Sequence, residues 1–130
     1  MTELTGTFEL PTWQDETYAE PDGEKYATVR LTKTWDGGIV GSSEGRLLQV
    51  FLPSGAAAYV GIERVDASVD GRKGTFVLQH TAAGDATGGH MSVTVVPGSG
   101  TGELAGLTGT LSIERTASGE HTYALACEWQ

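Results

Sequence analysis

The sequence predicts one all-β domain, a closed antiparallel barrel of about eight strands spanning residues 1–130. Three observations carry this. Apolar and β-branched residues alternate or cluster in short stretches, turn formers separate those stretches, and no amphipathic helix of normal length occurs. A chain of 130 residues and 13.6 kDa can bury one core and is too short for two.

Strands are expected near Thr5–Leu10, Tyr26–Trp35, Arg46–Leu52, Ala57–Val69, Gly74–Thr81, Met91–Val96, Thr110–Glu114 and Thr122–Trp129. The intervening turns are Pro21-Asp22-Gly23, Asp36-Gly37-Gly38, Pro53-Ser54-Gly55, Asp70-Gly71, Gly84 to Gly89, Pro97 to Gly109 and Ser118-Gly119. Such strands either close into a barrel or stack as two sheets, and spacing alone does not separate the two. Closure removes exposed edges, and an eight-stranded barrel leaves room for one small ligand.

Asp70-Gly71 is the strongest hairpin signal, because both residues tolerate positive φ. A two-residue turn there pairs Val69 with Arg72, Ala67 with Gly74, Val65 with Phe76, Glu63 with Leu78 and Gly61 with His80. Tyr59, Gly61, Glu63, Val65, Phe76, Leu78 and His80 then share one face, which we assign to the interior. In the last hairpin, aligning Leu111 and Ile113 with Tyr123, Leu125, Cys127 and Trp129 requires an odd loop. Ala117-Ser118-Gly119, with Gly119 left-handed, supplies it.

Seventeen acidic and eight basic residues give a net charge of -9, which repels nucleic acid and anionic membrane surfaces. The N-terminus lacks the pattern of a signal peptide, and no stretch approaches membrane-spanning length, so a cytoplasmic location is expected. The lone Cys127 lies in an apolar alternating segment and reads as core.

Glu63 and His80 are diagonal neighbours on the inner face, beside Tyr59 and the side-chain-free Gly61, and form the candidate catalytic pair; the alternatives are that they only satisfy each other or a buried water, or that the face is exposed to solvent. Burial is expected to raise the carboxyl pKa, with the imidazole tuning it. Tyr59, Gly61, Phe76, Leu78, Tyr123 and Trp35 are the candidate ligand-binding residues, with core filling as the alternative for the aromatic ones. His80, His90 and His121 lack metal-ligand spacing, so neither metal nor cofactor is expected. Gly100-x-Gly102-x-x-Ala105 matches a dinucleotide fingerprint only formally, since the segment after it reads as two strands. Ser99 between glycines lacks the helix that a nucleophile elbow needs.

Val60-Gly61-Ile62-Glu63-Arg64, the segment Val69 to His80 and the segment Val95 to Gly109 together resemble a bacterial family of small proteins of unknown function. That family is similar in fold to allene oxide cyclase, a barrel shape shared with dirigent proteins and spirotetronate-forming cyclases. The Gly-Thr-Gly-x-x-x-Gly element, Gly100 to Gly106, resembles theirs. The resemblance implies a barrel, self-associated, whose interior in those relatives steers a reactive hydrophobic intermediate. The leading expectation is therefore a barrel that binds a small, largely apolar molecule. The alternatives are a cyclase or isomerase acting on such a molecule, and an oligomeric structural module without a ligand.

Overall fold

The structure is a computed structural model that describes residues 1–130. It is a closed barrel of eight antiparallel strands in which each strand pairs with the next and the last returns to the first. The strands are β1 (Thr2–Ala19), β2 (Lys25–Gly37), β3 (Ile39–Phe51), β4 (Ala57–Val69), β5 (Arg72–Asp85), β6 (Gly88–Val95), β7 (Leu107–Arg115) and β8 (His121–Trp129). No helix is long and apolar enough to cross a membrane.

The two hairpin registers read from the sequence are present. Asp70 and Gly71 have φ of 52° and 80°, and Glu63 pairs with Leu78 and Gly61 with His80. In the last hairpin Gly119 has φ 90°, Ile113 pairs with Tyr123 and Leu111 with Leu125. Positive φ at these turn positions supplies the twist that antiparallel strands need.

Most strands are longer than expected: β5 runs on to Asp85, β6 starts at Gly88 and β7 at Leu107, so the turns expected at Gly84 to Gly89 and Pro97 to Gly109 are shorter, and β1 and β3 change most in what they position. β1 does not stop at Leu10 but passes through a bulge, where Leu10 and Pro11 together oppose Lys33, and continues to Ala19. Proline lacks an N–H for the ladder, and a bulge is where a strand accommodates it. β3 begins at Ile39 instead of Arg46, so the glycine- and serine-rich stretch Gly41 to Gly45 is strand. Neighbouring strands demand it: a Cβ at Gly41 would lie 2.4 Å from the Asp66 carbonyl oxygen, a distance that only glycine permits.

The two barrel ends differ. At the Asp70-Gly71 end, 16 buried residues pack together, including Ile39, Val65, Phe76, Leu78, Leu104 and Leu125. The glycine-rich loop between β6 and β7 caps this end by taking the place of β6 beside β5. The Lys73, Thr75 and Val77 amides donate to Glu103 Oε1, Thr101 Oγ1 and Ser99 Oγ at 3.1, 3.0 and 3.0 Å, and Leu104 is fully buried. Gly102–Leu104 forms only a single 3-10 turn. Glu103 therefore serves a turn, and Ser99 binds backbone.

The opposite end is open. β6 and β7 pair only through Val93–Leu111 and Thr94–Thr110, and towards the open end Met91 is half-exposed. A hollow of about 240 Å³ lies at this end, lined by Gln49, Phe51, Ala57, Tyr59, Ala82 and His90 among others.

Candidate functional site

The alternation of β2 places Ala27, Val29, Leu31, Lys33 and Trp35 on the inner face, so one lysine points into an otherwise apolar row. From β3, Ser43 points inward; from β4, Glu63; from β5, His80. All four are buried, Glu63 with 2 % of its surface exposed and Lys33 and His80 with 5 % each. A charge this deep is tolerable only when paired and hydrogen-bonded.

Glu63 is the centre of the cluster. Its Oε1 accepts from Lys33 Nζ at 3.0 Å and from His80 Nε2 at 2.8 Å, and its Oε2 accepts from Ser43 Oγ at 2.5 Å. Ser43 Oγ in turn accepts from the Trp35 indole N–H at 2.9 Å. The Lys33 ammonium lies over the rings of Phe8 and Trp35, 4.5 and 5.1 Å from their centroids, a cation–π placement that replaces part of its lost hydration. Gly45, which pairs with Glu63, leaves the carboxylate room: a Cβ there would sit 3.2 Å from Glu63 Cβ.

This arrangement reverses the expected shift of the Glu63 carboxyl. Burial raises its pKa, but the hydrogen bond from His80, the Lys33 charge, the Ser43 hydroxyl and the His80 charge outweigh burial and hold it down at about 2. Glu63 is thus a fixed carboxylate. It positions its neighbours and does not shuttle protons near neutral pH.

The other member of the candidate pair is His80. Its Nε2 is committed to Glu63, while Nδ1 has no protein partner and is not sealed from solvent. In a neutral imidazole whose Nε2–H donates to a carboxylate, the free lone pair is on Nδ1. His80 lies one inward row below Ala82, and a row of Tyr59, Ala82 and Met91 crosses β4, β5 and β6 above it. Tyr59 Oη reaches over the small Ala82 to donate to Met91 Sδ at 3.3 Å.

Residues 4–126 match the family model described as a protein of unknown function, DUF3224. The chain belongs to the DUF3224 family. A solved DUF3224 structure of unknown function from Shewanella oneidensis MR-1 is 35% identical, with 100% of this chain and 98% of that one covered at a TM-score of 0.92. No curated protein matches this chain. The bacterial family of unknown function and the barrel expected from the sequence are thus both met.

In this DUF3224 barrel the expected site residues separate into two groups. Glu63 and His80 meet as expected, and Tyr59 lines the open hollow. Trp35, Phe76, Leu78 and Tyr123 instead belong to the packed core of the capped end. Tyr123 acts as a strut there: its hydroxyl donates to the Asp36 carbonyl at 2.8 Å and accepts from the Ile39 amide at 2.7 Å. The space beside Gly61 is filled from β3, since a Cβ there would lie 2.3 Å from Leu47 Cδ2. Cys127 is buried, and burial pushes its thiol pKa up.

Sequence reasoning missed Lys33 and Ser43. A period-two count would have found Lys33, because it falls in phase with Leu31 and Trp35. Ser43 carried no such signal, since the weak strand propensity of Gly41 to Gly45 concealed its strand.

Proposed function

We propose that this DUF3224 barrel, in the cytoplasm, receives a small, largely apolar molecule at its open end, with His80 as the polar contact beneath it. The observation that carries this reading is the unpartnered Nδ1 of a histidine whose other nitrogen is held by an ionised carboxylate. A side chain oriented at that cost in buried charge, yet with one nitrogen left free, supports a role in contacting a ligand. The hollow of about 240 Å³ sets the scale of the occupant. It corresponds to roughly eight water volumes, below the usual range for drug-sized ligands.

The same dyad favours a second reading, a cyclase or isomerase in which His80 accepts a proton from a bound substrate and returns it at another position. Glu63 would stabilise the imidazolium formed in between, as carboxylates do when paired with a catalytic histidine. The resemblance of the Gly100 to Gly106 element to that of allene oxide cyclase-like barrels favours this version.

Native mass spectrometry of the protein purified from its own host tests both. A retained small compound that survives mixing with fresh protein unchanged supports binding. Conversion that is lost in His80→Asn supports catalysis. A protein that retains nothing and takes up no apolar probe leaves the structural reading alone.

A further inference from the structure

The outer surface of β3 and β4 has a composition unlike the rest of the barrel. Leu48, Val60 and Ile62 point outward there and are 53 %, 50 % and 54 % exposed. Three of the five arginines, Arg30, Arg46 and Arg64, stand on or beside this patch, in a chain whose net charge is -9. Arg46 and Arg64 make no ion pair within the chain, whereas Arg30 bridges Glu44 at 3.0 Å. Two hollows of about 710 and 510 Å³ run along the face and share Arg46 and Ile62. Exposed aliphatics beside unpaired arginines match the composition of an interface core better than that of ordinary surface.

We infer that this face is where two copies of the chain pack against each other, outer sheet on outer sheet. The register makes the patch self-complementary. On the ladder, Leu48 pairs with Val60, Arg46 with Ile62, and Glu44 with Arg64. A two-fold axis running between β3 and β4 along the strands exchanges these columns. Each Leu48 then meets the partner's Val60, each Arg46 guanidinium stem lies on the partner's Ile62, and each Glu44 meets the partner's Arg64. Every contact occurs twice, as an isologous interface requires. Sheets packed this way interdigitate their side chains at an aligned angle.

The free edge of β1 is the competing surface, since beyond Phe8 it pairs with β2 alone and leaves Trp13 and Tyr18 exposed. Antiparallel self-pairing in the register that sets Asp15 opposite the partner's Glu16 brings like charges together, which opposes it.

Sedimentation equilibrium of the full chain tests the inference. The wild type should be a dimer at micromolar concentration, and Ile62→Asp should be a folded monomer, with folding checked by circular dichroism. Glu44→Arg and Arg64→Glu should each weaken the dimer about tenfold or more, and combining them should restore it because each partner then presents the opposite sign. A monomeric wild type, an Ile62→Asp dimer of unchanged affinity, or a double exchange no tighter than either single change would overturn it.

Discussion

Lys33 and His80 hold the same oxygen of the barrel's buried carboxylate, Glu63 Oε1, at 3.0 and 2.8 Å from opposite strands of the sheet. One carboxylate therefore does two jobs. It neutralises an ammonium that could not otherwise be buried, and it fixes the ring of His80.

The first job makes Glu63 structurally costly to lose. Glu63→Gln leaves the Lys33 charge buried without a counter-charge, and unfolding in urea should show a loss of about 3–5 kcal/mol. Adding Lys33→Met should recover most of that loss, because the apolar chain suits the Phe8 and Trp35 rings. A double mutant as unstable as Glu63→Gln alone would mean that the carboxylate stabilises the barrel through Ser43 and His80 instead.

The pH dependence follows from the same group. Glu63 titrates at about 2 in the folded barrel against an ordinary value of 4.5, so the unfolded chain takes up its proton first as pH falls. Its contribution to stability is fully present above about pH 4.5 and is lost between there and about pH 2. Urea midpoints measured from pH 6 down to pH 2 should fall through that window in the wild type. The fall should be smaller in Glu63→Gln.

The second job predicts a tautomer. In neutral His80 the proton should reside on Nε2, and nitrogen-15 spectra of labelled imidazole should show Nδ1 as the unprotonated nitrogen. His80→Asn should lower stability by only about 1 kcal/mol, since Glu63 keeps Lys33 and Ser43. It should remove ligand binding or turnover. A proton found on Nδ1 would break the proposed role.

The hollow above His80 can be filled from within. Ala82 lies under the reach of Tyr59 to Met91, and Ala82→Leu should push that contact aside and occupy the open end. Fluorescence of an apolar dye such as anilinonaphthalene sulfonate should then show at least a tenfold weaker affinity, about 1.4 kcal/mol, with the melting temperature little changed. Undiminished dye binding would move the binding surface away from this end.

The alternating pattern and the Asp70-Gly71 turn determined a good deal alone. Because side chains alternate with a period of two, that one turn fixed which residues of β4 and β5 face inward, and with them the meeting of Glu63 and His80. The odd loop at Gly119 fixed the Leu111 and Leu125 side in the same way. Local chemistry sufficed there because a hairpin register is a short-range property.

Tertiary structure decided what short-range chemistry could not. Gly41 to Gly45 became strand only because β2 and β4 lie on both sides of it, and that brought Ser43 to Glu63. Pro11 became a bulge only because β2 continues past it, opposite Lys33. The ion pair between Lys33 and Glu63 joins residues 30 apart in sequence, on strands that are not neighbours, and together with the His80 hydrogen bond and the Ser43 hydroxyl it reversed the direction in which the carboxyl titrates. Burial alone would have raised that pKa. The balance depends on which charges the closed barrel brings within hydrogen-bonding distance, and closure is a property of all eight strands together.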